Sequence, residues 1–146
     1  MDVLVKVDIT LNNKDDLFNM VAEDLIKKEY VKNSYLEALK SRETEFPTGI
    51  NFGFGQLAIP HCEAEHSNKA CIYITKLKEA IEFENADGDG VCKVKTAIFL
   101  VVTDPKDQIG ILKKLFGFLQ SEDNFLSLEE EDDSEVLKIM FTHQVV

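Results

Sequence analysis

The run Leu57-Ala58-Ile59-Pro60-His61 carries an apolar stretch up to a proline and hands it over to a histidine. Proline fixes φ, lacks an N–H donor and pushes the residue before it toward extended geometry, so His61 follows on a stiff mount. A neutral imidazole is a nucleophile, and an unperturbed pKa of about 6.5 leaves most of the ring neutral near pH 7. The residues that follow, Cys62, Glu63, Glu65 and His66, add thiol, carboxylate and a second imidazole. Taken alone, a histidine after a proline is more often structural than catalytic, and composition does not decide between the two.

Each competing chemistry lacks a part it needs. His61, Cys62, Glu63, Glu65 and His66 are all metal-ligating types, but their spacing fits neither H-E-x-x-H nor paired C-x-x-C, so no metal site is expected. A nucleophilic Cys62 needs an adjacent base, and neighbours on an extended segment point to opposite faces, which places His61 badly for that task. Gly53-Phe54-Gly55-Gln56-Leu57-Ala58 satisfies the dinucleotide pattern G-x-G-x-x-A. That pattern requires a helix opening on the glycines, which Pro60 and the β-like run forbid. No G-x-x-x-x-G-K-[ST] loop is present to cradle a nucleotide. Asp87-Gly88-Asp89-Gly90 reads as a tight turn.

The elements that must carry His61 are readable from periodicity. Val3, Val5 and Val7 alternate in a strand ending near Ile9, and Leu17, Phe18, Val21, Leu25 and Ile26 recur at helical spacing from Lys14 to about Tyr30, with Asn13 as the cap. Ser34-Tyr35-Leu36-Glu37 has the form of a capping box and predicts a second helix running to about Arg42 or Glu43. Strand character resumes over Ala70–Thr75 and, as a second short strand, around Ile81–Phe83. Thr96–Val102 is nearly continuous in β-branched and aromatic residues, as expected for a strand covered on both faces at the centre of a sheet. Asp104-Pro105 opens a helix whose buried face is expected at Ile109, Leu112, Leu115, Phe116 and Leu119. The acidic run Glu129–Asp133 reads as solvated loop or helix start, before a last short helix burying Val136, Leu137, Met140 and Phe141, with His143 on the surface. Strands interleaved in this way with helices predict an α/β three-layer sandwich, a mixed sheet with helices on both faces.

The 146 residues, 45% of them apolar and 29% charged, suit one domain with its own core. Twenty-seven acidic against sixteen basic residues give a formal charge of −11, which repels phosphate backbones and argues against nucleic acid. Such a surface instead speeds encounter with a protein that presents a basic face. Three cysteines without C-x-x-C spacing, and no signal-like amino terminus, point to free thiols in a cytoplasmic protein. The longest apolar run, Ala97–Val102, is too short to span a bilayer.

Three further stretches extend the picture: Arg42-Glu43-Thr44-Glu45-Phe46-Pro47-Thr48-Gly49-Ile50, then Ile59-Pro60-His61-Cys62-Glu63-Ala64-Glu65-His66, then Leu115-Phe116-Gly117-Phe118-Leu119-Gln120. Together with Leu57-Ala58-Ile59-Pro60-His61 they resemble the mannitol/fructose-type enzyme IIA domains of the bacterial phosphoenolpyruvate-dependent sugar phosphotransferase system. They are most similar to the galactitol-specific branch. The resemblance covers the chain from the first helix to about Gln120. It implies a single phosphotransferase domain in which His61 takes a phosphoryl group from the phosphohistidine of the carrier protein HPr and passes it to a cysteine of a cognate enzyme IIB. Enzyme IIB then phosphorylates a polyol, galactitol by the branch, as a membrane component IIC imports it, and no cofactor is required.

The resemblance also implies supporting residues. Arg42, the only arginine, matches one that family members keep before the active loop, and a guanidinium grips phosphoryl oxygens bidentately. The competing reading of Arg42 is a cation at a helix carboxyl end. Where mannitol-type members carry a second histidine at the start of a later helix, this chain places Gln108, which donates a hydrogen bond but cannot titrate. His66 is a candidate to assist from the loop. A glycine of the family signature is replaced by Phe54, flanked by Gly53 and Gly55. Ile50, Phe52, Phe54 and Leu57 form either an apolar rim that docks HPr and IIB or simply core. A second class of function stays open, a regulatory module of the same family whose phosphorylated histidine controls a protein partner.

Overall fold

In the computed structural model, which describes residues 1–146, the chain runs through strand β1 (Asp2–Ile9), helices α1 (Lys14–Lys27) and α2 (Tyr35–Glu45), and the short strands β2 (Gly49–Asn51) and β3 (Gln56–Ala58). The long strands β4 (Cys71–Glu84) and β5 (Val91–Val101) follow, then helices α3 (Pro105–Leu119), α4 (Glu122–Glu130) and α5 (Ser134–Gln144). The five strands form one mixed sheet in the order β1-β4-β5-β3-β2, with β1 parallel to β4, β3 parallel to β5, and the remaining pairs antiparallel. No helix is long and apolar enough to cross a membrane.

The expected three layers are present. On β5, Ala97, Phe99 and Val101 face a core built with Leu17, Phe18, Val21 and Leu25 of α1 and Leu39 of α2. The alternate residues Ile98 and Leu100 face a second core with Leu115 of α3, Phe125 of α4 and Leu137 and Phe141 of α5. Period-two alternation thus puts apolar residues on both sides of β5, and the strand is central because both its faces are covered.

Several local expectations are revised. The α1 helix stops at Lys27, short of Tyr30, because Glu29 adopts a φ of 65°. The amides of Glu29 and Tyr30 then return to the carbonyls of Ile26 and Leu25, which closes the helix in a Schellman turn without a glycine. The two strands expected at Ala70–Thr75 and Ile81–Phe83 are one, since β4 stays paired to β5 on both sides of an irregularity between Lys76 and Ile81. In α3 the buried stripe is Ile111, Leu115, Phe118 and Leu119, while Ile109 lies on the opposite side and is 63% exposed. The acidic run is divided, with Glu129 and Glu130 ending α4 and Asp133 capping α5 through the amides of Glu135 and Val136.

A hairpin delivers His61. β2 and β3 pair Gly49 with Ala58 and Asn51 with Gln56 across a turn in which Gly53 has a φ of 93°. At the other end of the hairpin the Ile59 amide donates to the Thr48 carbonyl at 3.3 Å, one rung beyond the assigned strands. Because β3 is parallel to β5, residues after β3 lie at the same sheet end as the start of α3. The Leu100 amide donates to the Pro60 carbonyl at 3.2 Å and fixes that exit.

Candidate functional site

His61 leaves the hairpin directly after the buried Ile59 and Pro60 and is itself half-buried. Its Nδ1 lies 2.7 Å from the carbonyl oxygen of Ile59. A carbonyl only accepts, so Nδ1 carries the proton and donates it, and Nε2 is left with its lone pair. The acceptor that fixes the tautomer, which cannot be picked out from sequence, is therefore a main-chain oxygen two residues upstream. Burial holds the His61 pKa below the usual imidazole value, and the Arg42 charge pushes in the same direction against opposing contributions from the Ile59 carbonyl and Glu63. The neutral ring that a nucleophile requires is the favoured form.

Arg42 sits in the last turn of α2, half-buried, with its guanidinium 4.6 Å above the centre of the exposed Phe46 ring and Nη1 donating to the Phe46 carbonyl at 3.5 Å. A guanidinium has five donors, so most remain unengaged. Arg42 and His66 line one cleft of about 460 Å³ together with Ser34, Glu63 and Glu65. His61 is not a lining residue of that cleft, although Glu63 is and the Arg42 charge acts on its ring. Gln108 lies half-buried in the first turn of α3, at the sheet end where His61 emerges, and no hydrogen bond joins the two.

His66 ends a short 3₁₀ turn, Ala64–His66, and its Nδ1 is 2.8 Å from the hydroxyl of Ser34. This corrects the capping-box expectation. Ser34 has helical φ and ψ of −75° and −9° and makes no side-chain cap, because its hydroxyl is spent on the histidine across the cleft. The Lys32 amide donates to the His66 carbonyl at 2.9 Å and the Lys32 ammonium to the Glu65 carbonyl at 2.8 Å, so the α1–α2 connection holds the turn from the side.

The thiols stand apart from this chemistry. Burial pushes Cys62 and Cys71 up to about 12, which leaves them protonated near neutrality, and all three cysteines are free. No group of three or more His, Cys, Asp or Glu side chains is placed to hold a metal ion. Leu57 is fully buried, while Ile50, Phe52 and Phe54 pack half-buried against the α3–α5 core, with the Phe54 ring 5.3 Å from that of Phe125. The core reading holds for Leu57, and the turn that bears Phe52 and Phe54 lies at the end of β3 away from His61.

Sequence reasoning passed over Glu43 and Thr48. Glu43 is 2% exposed and receives the Thr48 amide at 2.8 Å and the Thr48 hydroxyl at 2.7 Å. Burial raises its pKa against these two bonds. In sequence it reads as one more charge on a polar helix end, and only the packing of the hairpin against α2 encloses it.

The model of one protein family, described as phosphoenolpyruvate-dependent sugar phosphotransferase system, EIIA 2, matches residues 2–142. The galactitol-specific EIIA component of Escherichia coli (strain K12) is 32% identical over 145 residues, covering 99% of this chain and 96% of that protein. Among solved structures, IIA mannitol from Escherichia coli superposes with a TM-score of 0.73 at 20% identity, covering 93% of this chain and 94% of the other. Enzyme IIAMTL in its Escherichia coli complex with phosphorylated enzyme IIBMTL gives a TM-score of 0.72 at 19% identity, covering 96% of this chain and all of the matched one.

Proposed function

From the premise that the chain belongs to the EIIA 2 family of the phosphoenolpyruvate-dependent sugar phosphotransferase system, whose members are phosphotransferases of the sugar-phosphorylation relay, we propose that His61 is the residue it phosphorylates. The observation that carries the proposal is the Nδ1 bond to Ile59, which leaves Nε2 as the attacking nitrogen. The donor is the phosphohistidine of HPr. The Nε2 lone pair forms a bond to phosphorus while the donor's N–P bond breaks, and that electron pair stays on the donor's ring nitrogen.

The same bond serves the second half of the relay. With phosphorus on Nε2 and a proton kept on Nδ1, the ring carries positive charge, which the Ile59 carbonyl dipole stabilises. When a thiolate of enzyme IIB attacks phosphorus, the Nε2–P bond breaks and its electrons return to Nε2, so the leaving group is neutral imidazole and not imidazolate. The transferred group brings up to about two negative charges, and Arg42, whose charge acts on the His61 ring, is the cation to offset them, with Gln108 and His66 as further supporting side chains.

The 32% identity to a galactitol-specific component supports a polyol, galactitol, as the sugar served, with import left to a separate membrane component IIC and this domain working in the cytoplasm. Incubation with phosphoenolpyruvate, enzyme I and HPr should place one acid-labile phosphoryl group on the wild type and none on His61→Ala. Label surviving in His61→Ala overturns the assignment. Transfer from the labelled protein to a panel of IIB proteins should be fastest to a galactitol-type IIB, and transfer to none removes the transport role.

A further inference from the structure

We propose that Glu43 and Thr48 are positioning residues for His61, holding in place the carbonyl that selects its tautomer. The proposal rests on the reading of His61 as phosphoryl acceptor, but its geometry is independent of it. Both oxygens of the buried Glu43 carboxylate are taken up by one residue, Oε2 by the Thr48 amide and Oε1 by the Thr48 hydroxyl. The Thr48 carbonyl accepts from the Ile59 amide, and the Ile59 carbonyl accepts from Nδ1 of His61. A continuous series of hydrogen bonds therefore joins the last turn of α2 to the imidazole.

The series matters because of where it ends. The Thr48–Ile59 contact is the last rung of the β2–β3 hairpin, at the point where such ladders fray. Ile59 is held there from its amide side by Thr48, and the following Pro60 is held by Leu100. Proline contributes no amide of its own to the ladder, so the rung at Ile59 is the only backbone bond on that side before His61. Burying a carboxylate is unfavourable unless its oxygens are satisfied, and here their satisfaction requires Thr48 to stay in one orientation. Release of Thr48 would free Ile59 to rotate about its own Cα, swing its carbonyl and let Nδ1 lose its acceptor, so that proton and lone pair exchange places on the ring.

Thr48→Val removes the hydroxyl donor while keeping the amide and the side-chain shape. Thr48→Ser keeps the donor, and Glu43→Gln turns an amide NH₂ toward one of two donors. Ring ¹⁵N shifts of His61 report the tautomer, single-turnover labelling by phospho-HPr reports the rate, and a thermal melt reports folding. Thr48→Val is expected to shift the tautomer away from the Nδ1–H form and slow labelling about tenfold, the size expected for one lost hydrogen bond felt at the reacting group. Thr48→Ser should recover both. Glu43→Gln should slow labelling at least as much as Thr48→Val, and if it fails to fold the threonine pair decides alone. A Thr48→Val protein that melts earlier yet keeps the wild-type tautomer and rate overturns the proposal and leaves the contact purely structural. A wild type that takes no label, with a tautomer that still shifts in Thr48→Val, overturns the relay and leaves the positioning role standing.

Discussion

Nδ1 of His61 and the carbonyl oxygen of Ile59 stand 2.7 Å apart, so the ring is oriented by its own strand and not by a distant carboxylate. Burial, the largest influence on this ring, disfavours its protonated form, and the folded-state pKa lies below the unfolded value of about 6.5. Between those two values the unfolded chain binds more protons than the folded one. The contribution of His61 to stability is therefore whole above about pH 6.5 and is lost as pH falls through the folded pKa. The acid limb of the labelling rate should have its midpoint below about 6.5, and an NMR titration of His61 should give the same midpoint. A midpoint at or above that value would contradict the buried, neutral ring.

Arg42 is held against Phe46 by a stacked guanidinium and one long hydrogen bond, a pose that leaves its remaining donors unengaged, as the proposed phosphate clamp requires. Lysine keeps the charge but loses the planar fork. Arg42→Lys should slow single-turnover labelling on the order of tenfold, about 1.4 kcal/mol, with little change in melting temperature. Rapid-quench kinetics identical to wild type would return Arg42 to its other reading, a cation suited to a helix carboxyl end.

The elements that announce themselves locally are the ones the sequence reveals. Asn13 caps α1 by accepting from the Asp16 amide, Asp104-Pro105 opens α3, and β5 is apolar on both faces because it lies mid-sheet. What stays hidden depends on partners distant along the chain. The polar stretch Lys78–Ala80 interrupts the apolar pattern and suggests two strands, but β4 runs on through it because pairing with β5 resumes at Ile81. Glu29 ends α1 in a conformation that glycine usually signals. At the site, Pro60 makes His61 conspicuous, whereas Glu43 looks like helix surface and Ser34 looks like a cap. Their roles follow from the hairpin packing on α2 and from the return of His66, neither of which leaves a local pattern.

The Ser34 hydroxyl and His66 Nδ1 join the start of α2 to the turn that follows His61. Ser34→Ala removes that link without touching a helix cap, since Ser34 makes none. The variant should lose about 0.5–1.5 kcal/mol in urea unfolding, the usual range for one hydrogen bond. The amides of His66 and Ser67, which close the 3₁₀ turn on Glu63 and Ala64, should exchange faster. Loss of stability without faster exchange at those two amides would show that the bond does not restrain the turn.

Gly53 and Gly55, the pair that imitates a dinucleotide loop, are required for two different physical reasons. Gly53 has a φ of 93° and open space around it, so Gly53→Ala meets backbone strain alone, about 1–2 kcal/mol. Gly55 lies against the ring of Phe125, and an added Cβ would overlap Cε1 and stand 2.6 Å from Cζ. That ring is buried and packed against Phe52, at 5.6 Å, and Phe54, at 5.3 Å, so displacing it disturbs both neighbours. Gly55→Ala should therefore cost about 1–3 kcal/mol through overpacking. Phe125→Leu should recover part of that loss in the Gly55→Ala background and none of the loss in Gly53→Ala. Equal behaviour of the two glycine variants in this double-mutant comparison, read by urea unfolding, would mean that ring overlap is not what excludes a side chain at Gly55.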